Sequence, residues 1–374
     1  MSKYELMSSA TESGALTLRF EGKVFSLDVG KNLRGEKLIM YMTKYVLKRL
    51  GLMLFTFAII MIMCFVLIKL LPPIINVGAN QDPLIAYKQY EARGWITNIE
   101  KLDNGNYSYD VVPVFEQLGN YLKRIFTEGD FGIATTYGEY INQPVWDVFI
   151  EKLPPTILIN IYSTIIGVPI GLALGIFAAL KKNKWQDQLI NVGVILFISV
   201  PSVVMGLIIQ YFFCFKLGWF PITMKSGFDY FSWQMFKSML PAVLSLCLGS
   251  IAGYARYTRA ELTEVLTSDF MLLARTKGLT KSQATVRHAL RNAMVPIFPM
   301  ILSEFVAVLS GSLIIEQMFS IPGVGRLYLN SINFQDYDFF MLLSGFYTLV
   351  GLAAGIVVDI SYGFIDPRIR MGAK

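Results

Sequence analysis

An all-α protein that crosses a membrane six times is the fold class this sequence predicts, and three observations predict it. Only 16% of the 374 residues are charged, against 54% hydrophobic, and the mean hydropathy is +0.50. Soluble domains carry about 25% charged residues, so lipid must solvate much of this chain. Six apolar segments are long enough to span, at approximately 48–71, 155–180, 189–216, 239–258, 294–318 and 338–363. A span must satisfy its own backbone, so all six are expected to be helices. The third observation is the placement of Lys and Arg. With the N-terminus inside, the inner segments hold 22 and the outer loops 9, which puts both termini in the cytoplasm.

The elements follow in chain order. Within residues 1–41, LTLRF and VFSLDV alternate around a glycine-containing turn and read as a β-hairpin. A lone hairpin is marginal in water, so it should pack on something or move freely. The first span, within 42–71, follows Lys44, Lys48 and Arg49. It exceeds the apolar core of a signal peptide, about 7–15 residues, so an uncleaved anchor is expected. Residues 72–153 then carry 11 Asp or Glu against 6 Lys or Arg and contain interrupted apolar runs such as DVVPVFEQLGNYLKRIF. A small folded cap outside the membrane fits that pattern better than a tether. Lys69 and Lys216, at outer helix ends, are expected to snorkel to water.

In the second span Gly167, Gly171 and Gly175 recur every four residues around Pro169. Small residues at that spacing let helices approach closely, within this subunit or against a partner. Pro201 should kink the third span. Cys64, Cys214 and Cys247 all fall in apolar runs without metal-ligand spacing, so they read as small buried hydrophobes. The net charge of +6 does not point to nucleic acid, because the basic residues lie between apolar segments rather than along one soluble face.

Between the fourth and fifth spans lies DFMLLARTKGLTKSQATVRHALRNA, residues 269–293, with five Arg or Lys and the chain's one histidine. From Arg259 to Lys277 the apolar positions Leu262, Val265, Leu266, Phe270, Leu273 and Ala274 share one helical face. Gly278 stands where a helix wants a C′ residue of positive φ, after Arg275 and Lys277 in its last turn. Thr280 and Gln283 form a capping box for a second helix, expected from about Lys281 to Asn292, with Pro296 opening the next span. The stretch is therefore a helix, a glycine corner and a helix. It could lie on anionic lipid or dock a partner protein, and the break favours docking.

The same residues resemble the cytoplasmic coupling loop of ABC-importer permeases. Only Ala274 and Gly278 match the strict EAA form, yet the string ending RHALRNAMVP is similar to the oligopeptide/dipeptide branch. MTKYVLKRLGLML, GDFGIATTYGEYINQPVWDVFIEKLPPTILIN, FSIPGVGRLY and DPRIRMG resemble that branch in the same order, covering nearly all of residues 42–371. Residues 1–39 precede the usual start of that branch, which looks like Met40 or Met42, and read as a mis-chosen start or idle extension, or as a docking hairpin.

The resemblance implies a type I ABC importer permease fold in a bacterial cell membrane, with the six-helix domain at 154–363, the coupling segment at about 260–292 and a cytoplasmic tail at 364–374. It implies a second homologous permease, commonly a different chain, two cytoplasmic ABC ATPases, and an extracytoplasmic binding protein that delivers peptide. By carry-over Asp269, Phe270, Leu273, Ala274, Arg275, Lys277, Gly278 and Leu279 would contact the ATPase. No cofactor is expected on this chain; ATP and magnesium belong to the partner ATPases, because no G-x-x-x-x-G-K-[ST] loop is present. His288 has no partners for a triad or a metal site, and no catalytic residue is expected.

Glu304 is an ionisable residue inside span five, where such groups usually face a cavity. With Ser303, Ser310 and Ser312 it is expected to line the translocation path, or else to bond a neighbouring helix at the partner interface. Asp359, nearer the inner end of span six, reads as structural. The function that follows is ATP-driven peptide uptake by alternating access. An ion-coupled transporter using Glu304 and Asp359, or the same importer with a nickel chelate or oligosaccharide as cargo, are the alternatives.

Overall fold

The computed structural model describes residues 16–20, 23–27, 29–71, 75, 82–103, 105–225 and 229–365, with backbone alone before 43 and after 361. The expected tail at 364–374 thus lies almost wholly outside the described residues. The chain divides into two compact units, Met1–Leu54 with Asp359–Lys374, and Phe55–Val358.

In the first unit, β1 (Leu16–Phe20) pairs antiparallel with β2 (Lys23–Leu27), with Leu16 opposite Leu27 and Phe20 opposite Lys23. Helix α1 (Val29–Lys69) begins far ahead of the lipid-length segment, which starts at Thr43. Its first turns are rich in Lys, Leu and Met and free of proline, so nothing stops the helix where the bilayer would. Arg49 on α1 pairs with Asp359 at 2.9 Å, a structural role for that carboxylate.

In the second unit the segment between the first two spans is folded. It contains α2 (Pro83–Ala92), the hairpin of β3 (Ile96–Lys101) and β4 (Tyr107–Val111), and α3 (Val114–Glu128). Trp95, Ile96 and Tyr90 pack with Tyr337, the first residue of the last span α13 (Tyr337–Ile365). Lys69 does not snorkel to water. Its ammonium sits 3.4 Å from the Trp95 ring centre and 4.8 Å from that of Tyr337, where cation–π attraction replaces hydration. Asp336 accepts hydrogen bonds from the consecutive N–H groups of Thr135, Thr136 and Tyr137 at 2.7, 2.9 and 3.2 Å. Asp338 takes Arg93 and the Ile133 N–H. Two buried carboxylates therefore bind the loop before the second span to the start of α13.

Five helices among the described residues suit a membrane crossing, and a bent pair makes the sixth. The second span is α4 (Val145–Leu180) and the fourth is α7 (Trp233–Leu266). Between them, α5 (Trp185–Ser199) and α6 (Ser202–Ile209), continued by a π-helical stretch to Lys216, bend by 102° at Pro201. Val200 is extended there, as a residue before proline prefers. The glycine seam of α4 faces α7 within this chain. A Cβ on Gly171 would lie 2.8 Å from the Ile251 carbonyl and 2.7 Å from the Tyr254 Cβ, and one on Gly175 2.7 Å from the Ala255 carbonyl. Gly171→Ala must push the two backbones apart, at about 1–3 kcal/mol. Its expected signature is an earlier unfolding transition in mixed micelles, with Gly193→Ala, where a Cβ meets nothing within 4 Å, as the unaffected control.

Candidate functional site: a bent ridge, a buried knot and an acidic cavity

The expected single helix from Arg259 to Lys277 is broken. Helix α7 stops at Leu266 and α8 (Asp269–Thr276) restarts after Thr267 and Ser268. Both hydroxyls turn back on the helix: Thr267 donates to the Glu264 carbonyl at 2.9 Å and Ser268 to that of Val265 at 2.6 Å. Such local bonds compete with helix continuation, and serine then suits the cap of a new helix. The shared apolar face divides accordingly. Leu262, Met271 and Ala274 are buried with Ala284, Ala289 and Ala293, whereas Phe270, Leu272 and Leu273 are exposed by 42%, 64% and 55%.

The corner itself matches expectation. Gly278 has φ +92°, its N–H donates to the Arg275 carbonyl at 3.0 Å, and the Leu279 N–H reaches Ala274 at 3.3 Å. That pair of bonds is a Schellman closure. Thr280 and Gln283 complete a reciprocal capping box at the start of α9 (Lys281–Ala284). Asp269 lies in the first turn of α8 and Arg275 in its last, each favoured by the helix dipole. Arg259 grips the buried Asp187 with two parallel bonds of 2.5 and 2.8 Å, tying α7 to the start of α5.

Beyond α9, a π-helical turn (Thr285–Ala289) leads into α10 (Leu290–Ala307), and the whole forms one membrane-length helix from Lys281. The second ridge helix and the fifth span are thus continuous, and Pro296 and Pro299 lie inside α10 rather than opening it. A proline removes one backbone bond, which packed neighbours can tolerate in a span. The span also ends earlier than 318. A turn through Gly311 (φ +65°) leads to the short helix α11 (Leu313–Met318), then to α12 (Val324–Asn333).

This shift separates the residues expected to share one path face. Ser310 and Ser312 lie in the turn after α10, and Ser303 does not line the cavity that Glu304 faces. Glu304, one turn from the end of α10, instead accepts from Ser250 Oγ at 2.8 Å and Tyr254 Oη at 3.2 Å, both on α7. The adjoining cavity of ≈ 130 Å³ is walled by α4, α7 and the end of α10.

One site had no forecast. Glu316 on α11 is fully buried, and its carboxylate accepts from Thr156 Oγ1 (3.0 Å), Gly325 N–H (2.8 Å) and Arg326 N–H (3.2 Å). Thr156 Oγ1 also accepts from Val324 N–H at 2.8 Å. A Cβ on Gly311, Gly323 or Gly325 would collide with this carboxylate or with Thr156. The knot ties α4 to the segment between α11 and α12. A carboxylate interrupting LIIEQMF, with glycines nearby in IPGVG, was the signal in the sequence.

Residues 171–371, which include Gly171 and Gly175 of the seam, the ridge, α10 and the α11–α12 segment of the knot, match the model of the binding-protein-dependent transport system inner membrane component family. The chain belongs to this family. The dipeptide transport system permease protein DppB of Lactococcus lactis subsp. cremoris (strain MG1363) is 32% identical over 332 residues, 88% of this chain and 100% of that protein. The glutathione transport system permease protein GsiC of Escherichia coli (strain K12) is 32% identical over 329 residues, 88% of this chain and 99% of that one. A solved amino acid ABC transporter crystallised with histidines aligns over 58% of this chain and 94% of its own, at 18% identity and TM-score 0.44. On the family match and the two permease relatives, the chain is the membrane subunit of an ABC importer, and the ion-coupled alternative gives way to that membership.

Proposed function

We propose that this permease imports peptides, as one of two homologous membrane subunits driven by two cytoplasmic ABC ATPases and fed by an extracytoplasmic peptide-binding protein. The observation that carries this reading is the ridge. Three large apolar side chains point outward from a corner held by a Schellman closure and a capping box, a surface that membrane lipid alone gives no reason to bend. In this reading Phe270, Leu272 and Leu273 seat in the ATPase, with Asp269, Arg275 and Lys277 as its polar rim and Gly278 setting the angle. The charge distribution supports a cytoplasmic ridge and cytoplasmic termini, and the names of the two permease relatives support a peptide cargo.

ATP binding would draw the ridges of the two permeases together and open the path outward, and hydrolysis would reset it. Moving that equilibrium from 1:99 to 99:1 takes about 5.5 kcal/mol of preference between the states. The test is co-purification from native membranes followed by reconstitution. The expected result is that two ATPases and a second permease accompany the tagged chain, and that trialanine enters proteoliposomes only with ATP and the binding protein. ATP-independent accumulation, or a chain purified without any ATPase, would overturn the proposal.

A further inference from the structure

The Glu304 cavity presents a carboxylate for which none of the described residues supplies a cation. Its lining residues Asn160, Ser163, Thr164, Ser250 and Glu304 contribute one negative charge and several hydroxyl or carbonyl acceptors, beside the apolar Leu246, Ala307 and Val308. No Lys or Arg is among them, and among the described residues none pairs with Glu304. A carboxylate in a span is costly without a partner. Here two hydroxyl donors hold it in place and leave lone pairs on both oxygens, since a carboxylate accepts about four hydrogen bonds. Asn160 spends its N–H on the Thr156 carbonyl at 2.7 Å, which leaves its side-chain oxygen as an acceptor. The volume of ≈ 130 Å³ exceeds that of a water, about 30 Å³ in the liquid, by several-fold.

We infer that this cavity is a cargo subsite for a primary ammonium group, with Glu304 as its counter-charge and the hydroxyls of Ser163, Thr164 and Ser250 with the Asn160 oxygen as additional acceptors. The ligand is named on the importer reading above, in which the ammonium is the peptide's amino terminus; a lysine side chain offers the same chemistry. Cargo lacking that group would leave the carboxylate unpaired, which is how a polar site rejects an analogue.

The test labels Glu304 with dicyclohexylcarbodiimide, an apolar reagent for membrane carboxylates, in the native assembly in nanodiscs, and reads the modified segment by mass spectrometry. Three probes are added directly, without binding protein: trialanine, N-acetyl-trialanine and N-acetyl-Ala-Ala-Lys. Trialanine is expected to slow labelling about tenfold and N-acetyl-trialanine under about twofold, the contrast a charged hydrogen bond supports. Slowing by the acetylated lysine peptide as well would support a site for any primary ammonium, and its absence one for the amino terminus alone. Equal effects of trialanine and its acetylated form would overturn the inference. Uptake of trialanine into proteoliposomes is scored separately. Uptake with no protection sinks only this subsite, whereas protection with no ATP-driven uptake sinks the importer reading and leaves the subsite standing.

Discussion

Replacing Phe270 and Leu273 together with alanine is expected to release the ATPase from the purified assembly while leaving the permease folded. Both side chains are roughly half exposed and neither belongs to the buried ridge cluster, so their loss leaves no cavity. If they are anchors in a groove of the motor, each truncation costs about 1–2 kcal/mol or more, and the pair weakens association by roughly 30- to 1000-fold. Capture of the ATPase on immobilised permease measures this directly, with circular dichroism and melting in detergent as the folding check. Undiminished capture would remove the ridge from the interface. Gly278→Ala probes the angle without touching the surface. Its Cβ would meet nothing within 4 Å, yet φ is +92°, so the whole effect is backbone strain of about 1–2 kcal/mol. It should slow coupled ATP hydrolysis while Phe270 and Leu273 remain in place.

Removing the carboxylate of Glu316 is expected to be the most damaging single change in this permease. Glu316→Ala strands the N–H groups of Gly325 and Arg326 and the Thr156 hydroxyl together in a buried site. An unsatisfied buried donor costs about 1–3 kcal/mol, so about 3–5 kcal/mol in all is a reasonable total for donors that relax partly. Burial also pushes the Glu316 carboxyl up to about 7, against the opposite pull of its hydrogen bonds from Thr156 and from the Arg326, Gly325 and Ser312 backbone. The folded permease therefore holds this proton to about pH 7, whereas the unfolded chain releases it near the ordinary 4.5.

The stability from this proton is complete below about pH 4.5, falls as pH rises toward 7, and is constant above, a change of about 3 kcal/mol. Melting curves of the purified permease between pH 5 and 8 should show that decline, and Glu316→Gln should flatten it. A Gln variant with the wild-type slope would assign the pH dependence elsewhere.

Much of this was legible beforehand, and the cases divide by range. The corner at Gly278 and the Thr280–Gln283 box are written in residues three or four apart, so local pattern was enough. The break at Thr267–Ser268 is equally local but is masked in the sequence, because apolar periodicity continues across it while two hydroxyls turn back on the helix. The end of the fifth span was obscured by hydropathy. Residues 308–318 are apolar enough for lipid, yet the cradle around Glu316 needs a turn through Gly311 at that point. Lys69 looked like a snorkelling lysine until Trp95 and Tyr337 were brought around it.

By itself the sequence determined the lipid solvent, the number of crossings, the Pro201 bend and the capped ridge, since each follows from composition or from spacing along one helix. Only the tertiary structure decided that the glycine seam faces α7 of the same chain, that Glu304 bonds Ser250 and Tyr254, and that Thr156 meets Glu316. Those contacts join residues 50 to 160 positions apart. Spacing along a chain carries no information about which helix faces will meet; close packing of the whole bundle selects them.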